Sequence, residues 1–264
     1  MSAAARLQQN GNAPLAAFHG IGKRFPNGVL ALDRLEFAVK RGEFLSLLGP
    51  SGCGKSTALR LLAGLMEPTS GHISRDPAAR EIGFVFQEPT LLPWTTVANN
   101  VRLPLRLKSI AAPEAASRVD EALGLVGLQE FREAYPRELS GGMKMRVSIA
   151  RGLVTKPRVL LMDEPFAALD EITRFKLNDD LLELWQDERF TVVFVTHSVF
   201  ESVFLSNRIV VMAARPGRVH REIAIGAAYP RDEAFRTSPD YAMLCREASD
   251  VLVEAINSTH EAAA

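Results

Sequence analysis

Cysteine is almost missing from this chain. Cys53 and Cys245 are the only two among 264 residues, too few for a disulfide framework, and a reducing compartment is the natural reading. Net charge is missing as well, since 31 Lys and Arg balance 31 Asp and Glu. That balance argues against nucleic-acid binding by phosphate neutralisation over a broad face. No apolar run approaches the roughly 18 to 20 residues that span a bilayer. The N-terminus, MSAAARLQQNGNAPLAAF, has one Arg and no sustained apolar stretch, so no secretory signal is expected there. Internal repeats and low-complexity tracts are also absent. What is present, 47% hydrophobic and 23% charged residues, is the composition of an ordinary globular protein long enough to bury a substantial core. A folded cytosolic protein is expected.

Residues 1–15 are small and polar and read as a disordered lead-in. Strands are expected at Leu35–Val39, Phe44–Leu48, Ile82–Phe86, Val159–Met162, Thr191–Val195 and Ile209–Met212. A helix is expected over Lys55–Leu65, ending before Glu67-Pro68. Val97–Thr155 is rich in Ala, Leu, Glu and Arg and reads as a helical insert. Strands interleaved with helices indicate an α/β fold with a mainly parallel sheet. After Pro239, the residues Tyr241, Leu244, Ala248, Leu252 and Ala255 recur at helical spacing. They predict one amphipathic helix, docked on its own domain or offered to a partner.

The clearest chemical signal is Gly49-Pro50-Ser51-Gly52-Cys53-Gly54-Lys55-Ser56-Thr57. It satisfies G-x-x-x-x-G-K-[ST] between an expected strand and an expected helix. Glycines let the backbone close around phosphates, so that consecutive N–H groups point inward at a positive helix end. Lys55 is then placed to neutralise the β- and γ-phosphates of a nucleotide, and the Ser56 hydroxyl to reach Mg²⁺. The second half of such a site needs a buried strand that ends in carboxylates. Val159-Leu160-Leu161-Met162-Asp163-Glu164 fits, with Asp163 in the Mg²⁺ shell and Glu164 as general base for the attacking water.

Leu139-Ser140-Gly141-Gly142 precedes a helix that begins Met143-Lys144-Met145-Arg146, ahead of the carboxylate strand. With the phosphate loop, this resembles the ATP-binding subunit of ABC transporters, over roughly residues 16–257. The remaining motifs follow in order: Gln87 after Ile82–Phe86, Ala167-Ala168-Leu169-Asp170 after the carboxylates, and His197 after Thr191–Val195. The resemblance implies a P-loop NTPase core with an N-terminal antiparallel β region. It also implies a single ATPase domain over 16–257, a helical subdomain at about 88–156 inserted before the signature, and a short tail at 258–264. It implies ATP and Mg²⁺, with two copies sandwiching two ATP molecules head to tail. Lys55, Ser56, Asp163, Glu164 and Gln87 then come from one copy, and Ser140, Gly141 and Gly142 from the other. Gln87 is expected on Mg²⁺ and water, and His197 on the γ-phosphate, orienting the water against Glu164. Asp170 is expected to couple the two sites. Phe25 stands where the family stacks an aromatic on adenine, although it could also pack in the N-terminal β region.

Three stretches, PTLLPWTTVANNV at 89–101, PFAALDEITR at 165–174 and MAARPGRV at 212–219, look like the nitrate, sulfonate and taurine importer branch. The implied partners are a second copy, separate permease subunits and, through them, an external substrate-binding protein. The implied location is peripheral, on the cytoplasmic face of the inner membrane. An exporter motor and an ABC-type ATPase acting on DNA or ribosomes are the alternatives. Against the latter, Ser56 and Ser140 lie only 84 positions apart, with no room for coiled-coil arms. Met143 replaces the family's usual Gln, and Met145 stands where a second polar residue, commonly Gln, is expected, a departure that alters contacts near the opposing nucleotide while leaving the Ser-Gly-Gly core intact. Trp94 reads as a partner anchor or as core filling. Arg102, Arg106 and Lys108 read as a solvated face or a contact for lipid or permease, and Cys53 as a tolerated small residue or a reactive thiol.

Overall fold

The computed structural model describes residues 13–261. In chain order they form β1 (Ala16–Arg24), β2 (Leu30–Val39), β3 (Phe44–Leu48), α1 (Lys55–Leu62), β4 (Ser70–Arg75), β5 (Ile82–Val85), α2 (Val97–Leu107), α3 (Ala112–Leu125) and α4 (Gly141–Leu153). There follow β6 (Val159–Asp163), α5 (Glu171–Glu188), β7 (Thr191–Thr196), α6 (Val199–Leu205), β8 (Arg208–Ala213), β9 (Arg218–Ala224), α7 (Glu233–Arg236) and α8 (Pro239–Glu261). These elements divide into two compact units. One comprises the described residues up to Arg80 together with those from Thr191 onward, and the other is Glu81–Phe190.

In the first unit, β3 lies parallel to both β7 and β8, and β9 closes the edge antiparallel to β8. Every residue of β3 and β7 is buried, as expected of parallel strands covered on both faces. A separate antiparallel sheet runs β2-β1-β4, where Phe18 and Phe37 stack with ring centroids 4.3 Å apart. The expected lead-in over 1–15 lies outside the described residues as far as position 12. Leu15 is already buried, and its N–H donates to Val39 O at 2.8 Å. Helix α1 stops at Leu62 rather than Leu65, because Gly64 takes a left-handed φ of 72° and its N–H turns back to Leu61 O. Glycine in that position ends a helix without steric cost.

The C-terminal helix forms as its periodicity predicts, through Glu261, and packs on β8, β9 and α6 of its own unit. Tyr241, Cys245, Ala248, Val251 and Ala255 form its buried face. Ahead of it, Arg231 is only 4% exposed and its guanidinium donates to four carbonyls, those of Val203, Phe204, Ser206 and Ala227, at 2.8–2.9 Å. The first three lie at the C-terminal end of α6, where backbone carbonyls otherwise lack partners. Arg231→Met should therefore cost about 3 kcal/mol or more by stranding those acceptors. Thermal unfolding checks this, with a midpoint about 6–12 °C lower expected and an unchanged midpoint counting against it.

The second unit holds the parallel pair β5–β6 and helices α2 to α5. It includes the helical stretch expected at 88–156. All five residues of β6 are buried, including the terminal Asp163.

Candidate active site

In the first unit, β3 runs straight into residues 49–57. Gly54 caps α1 with φ 93° and ψ 9°, a left-handed conformation that only glycine takes freely. A Cβ there would also lie 2.5 Å from Leu32 Cδ2. The first turn of α1 contains no acidic residue, so the positive helix end carries no counter-charge of its own. Lys55 is 3% exposed, and its Nζ donates to Gly49 O at 2.8 Å and Pro50 O at 3.0 Å. These bonds hold the ammonium over the start of the loop. Parallel pairing sets Leu48 of β3 opposite Thr196 of β7, so residues 49–57 and His197 leave the sheet side by side, at the carboxyl ends where α/β sheets bind ligands. His197 is exposed. Its flanks are fixed: Ser198 N–H donates to Thr196 Oγ1 at 2.9 Å, and Ser198 Oγ caps α6 by accepting from Glu201 N–H. Phe25 is half-buried in the turn between β1 and β2, closed by Phe25 N–H to Val29 O at 2.9 Å. That turn leads directly into Ala31 and Leu32, which abut Gly54.

In the second unit, Asp163 is buried at the end of β6, and Glu164 follows with φ 46°. A glutamate in the left-handed region is uncommon, and such strain gathers at functional sites. Ser140 caps α4 by accepting from Met143 N–H at 3.3 Å. Gly142 packs so closely on the first turn of α5 that a Cβ would lie 2.7 Å from Thr173 Cγ2, and a Cβ on Gly141 would lie 3.7 Å from Leu169 Cδ2 in the loop before it. The structure thus brings Ser140, Gly141 and Gly142 together with the Asp170 loop. The Asp170 carboxylate accepts from Thr173 N–H at 2.9 Å and caps α5. That backbone bond is the main cause holding its pKa below the usual carboxylate value. Gln87 is exposed just past β5.

Two side chains that the sequence reading passed over organise this half. Arg151, in the last turn of α4, donates to Pro89 O at 2.7 Å, Thr90 O at 2.8 Å and Thr90 Oγ1 at 2.9 Å. It ties the segment after Gln87 to the helix that begins at the signature, and burial lowers its pKa. Asn100 is fully buried, accepts from Leu92 N–H at 2.7 Å and donates to the carbonyls of Leu92, Thr95 and Thr96. It fixes the loop that presents Trp94, which is 75% exposed and so is not core filling. The signal for Asn100 lay in an amide placed among apolar helix positions. Met145, apolar where the family pattern has a polar residue, is 3% exposed and lies in the apolar core of its unit. Among the described residues, no helix is long and apolar enough to cross a membrane.

Residues 32–167 match the ABC transporter family. The chain is 46% identical over 215 residues to the aliphatic sulfonates import ATP-binding protein of Bacillus subtilis, covering 80% of this chain and 82% of that one. Among solved structures, cbiO1 of Clostridium perfringens, part of the ABC transporter complex cbiONQ, is similar with a TM-score of 0.73 at 29% identity, over 80% of this chain and 89% of that one. A dimeric ATP-binding cassette in a post-hydrolysis state with ADP and Pi is similar with a TM-score of 0.71 at 34% identity, over 81% and 100%.

Proposed function

Because this chain belongs to the ABC transporter ATP-binding subunits, a family of ATPases coupled to transport, we propose that it energises import of a small anionic sulfur or nitrogen compound, of the sulfonate, taurine or nitrate type. The observation that carries the reading is the 46% identity to a sulfonate-import subunit along four-fifths of the chain. The proposed location is peripheral, on the cytoplasmic face of the inner membrane. There the subunit works with separate permease chains and, through them, an external binding protein.

The residues of the phosphate loop fit a triphosphate: a left-handed glycine bend, a helix start without acids, and a lysine held over the loop. Ser56, Asp163 and Gln87 offer the hard oxygen donors that Mg²⁺ prefers. The ion, when bound, neutralises developing charge between the phosphates. Lys55 binds the β- and γ-phosphates and Phe25 stacks on the adenine. Glu164 accepts a proton from the attacking water, and His197 and Gln87 orient that water. Ser140, Gly141 and Gly142 of a second copy close over the γ-phosphate with the N-terminus of α4, the same arrangement reciprocated across a two-fold axis. A single copy therefore supplies half of each phosphate cage and should hydrolyse slowly.

The test is uptake by the host cell of labelled nitrate, taurine and alkanesulfonates, comparing wild type with a chromosomal Glu164→Gln variant. Selective loss of one compound is expected, and unaltered uptake of all of them would remove the import reading. Permease docking is assigned to the loop carrying Trp94. Trp94→Ala should cut uptake by about 10-fold or more, as expected for an exposed aromatic anchor, while the ATPase rate of the isolated subunit stays unchanged. Normal uptake in Trp94→Ala would move the docking surface elsewhere.

A further inference from the structure

The string MAARPGRV has no role in the site described so far. In the fold it is the end of β8, the connection 214–217 and the start of β9. Gly217 is buried there and pinned on both sides. Its N–H donates to Ala31 O at 2.9 Å and its carbonyl accepts from Asp33 N–H at 3.0 Å, which forms a parallel bridge to Leu32. Its bare α-carbon faces the phosphate loop. A Cβ at Gly217 would lie 2.1 Å from Cys53 O, with Ala31 O and Leu32 Cδ2 each at 2.9 Å. At the other end of the string, Met212 O lies 2.7 Å from where a Cβ on Gly49 would stand. The end of β8 and the connection after it therefore bracket the phosphate loop, Met212 at Gly49 and Gly217 at Cys53.

We infer that Gly217 is a positioning residue for nucleotide binding, the backbone surface that sets the orientation of the Cys53–Gly54 peptide. That peptide is trans, so its carbonyl and its N–H point in opposite directions. With Cys53 O turned toward Gly217, the Gly54 N–H is turned away from it, into the loop. Any side chain at position 217 presses on a backbone oxygen, and the two bonds to β2 prevent Gly217 from backing away. The peptide must tilt, and the Gly54 donor leaves its line to the phosphates. The demand is for space alone, because Gly217 lies outside the left-handed region that would itself require glycine. The assignment rests on the reading of residues 49–57 as the triphosphate cradle.

The experiment compares wild type, Gly217→Ala, Gly226→Ala and Lys55→Ala by equilibrium binding of a fluorescent ATP analogue and by steady-state hydrolysis. Gly226→Ala is the control, since a Cβ there meets nothing within 4 Å. Gly217→Ala should raise the Kd and KM for ATP by about 10-fold or more, the worth of one hydrogen bond to a charged group. Its kcat at saturating ATP should stay within about twofold of wild type, and Gly226→Ala should behave as wild type. A folded Gly217→Ala protein with wild-type KM overturns the inference, even if its thermal midpoint falls. Wild-type affinity in Lys55→Ala would overturn the cradle reading instead. Should Gly217→Ala not fold, hydrogen exchange on the wild type decides. MgATP should slow exchange over residues 214–217 together with 49–57. Protection confined to 49–57 would overturn the inference.

Discussion

Glu164→Gln is expected to lower steady-state ATP hydrolysis by about 10²- to 10⁴-fold, the range that one positioned general base supplies, while ATP stays bound. The substitution keeps size and shape and removes the carboxylate charge, and with it the ability to accept a proton from water. The backbone supports assigning this role to Glu164. The residue sits directly beyond the buried Asp163, in a left-handed conformation with φ 46°. That geometry turns its side chain out of the alternation of β6. Phosphate release under saturating MgATP is the measurement, and hydrolysis at the wild-type rate would show that another group accepts the proton.

Lys55→Ala should act earlier, on binding. The ammonium is 3% exposed and bonded to two loop carbonyls. Truncation removes the charge opposite the β- and γ-phosphates and leaves Gly49 O and Pro50 O without this donor. Losing one partner of a buried charge pair costs about 2–5 kcal/mol, or roughly 30-fold or more in affinity. Titration with a fluorescent ATP analogue checks this, and an unchanged Kd would contradict it. Together the two substitutions separate the roles, since one protein binds without turning over and the other turns over little because it scarcely binds.

The parts of the fold that announced themselves in the sequence are those where a single interaction dominates. Phe44–Leu48 and Thr191–Thr196 are fully buried on both faces, and short runs this rich in apolar residues, bounded by turn signals, admit few other readings. The phosphate loop is legible because glycine spacing and a following lysine are demanded by local geometry. β4, Ser-Gly-His-Ile-Ser-Arg, was not legible. It has no buried residue, and it is a strand because β1 pairs with it from Ala16↔Arg75 to Gly22↔Ser70. β2 begins five residues before the expected Leu35, since Asp33 and Arg34 mask the start, and Arg34 takes a φ of 46° near a register shift. Helix α5 was missed because its apolar residues do not fall on one stripe. Leu177, Leu181 and Trp185 are buried, whereas Ile172 is 83% exposed.

At the site, residue types were easier to read than their supports. Gln87, Ser140, Asp163, Glu164 and His197 are named by motif order. Arg151 and Asn100, which hold the loops around Gln87 and Trp94, act through carbonyl oxygens. No residue pattern records which carbonyl a side chain will reach. Met145 shows the converse, an apolar residue where the family pattern has a polar one, at a position that α4 turns into the core. The string at 212–219 was legible as a family mark, and its contact with Cys53 O becomes visible only when β8 and β9 are brought beside the phosphate loop.

The central claim is that each ATP site is completed by a second copy of the chain. Sedimentation velocity of Glu164→Gln, with and without saturating MgATP, tests it most directly. ATP should convert a monomer of 28.9 kDa into a dimer of about twice that mass, and adding Ser140→Arg to the same chain should abolish the shift, because it sets a bulky side chain where the partner's γ-phosphate must lie. A Glu164→Gln protein that binds ATP at saturation and sediments as a monomer would contradict the account.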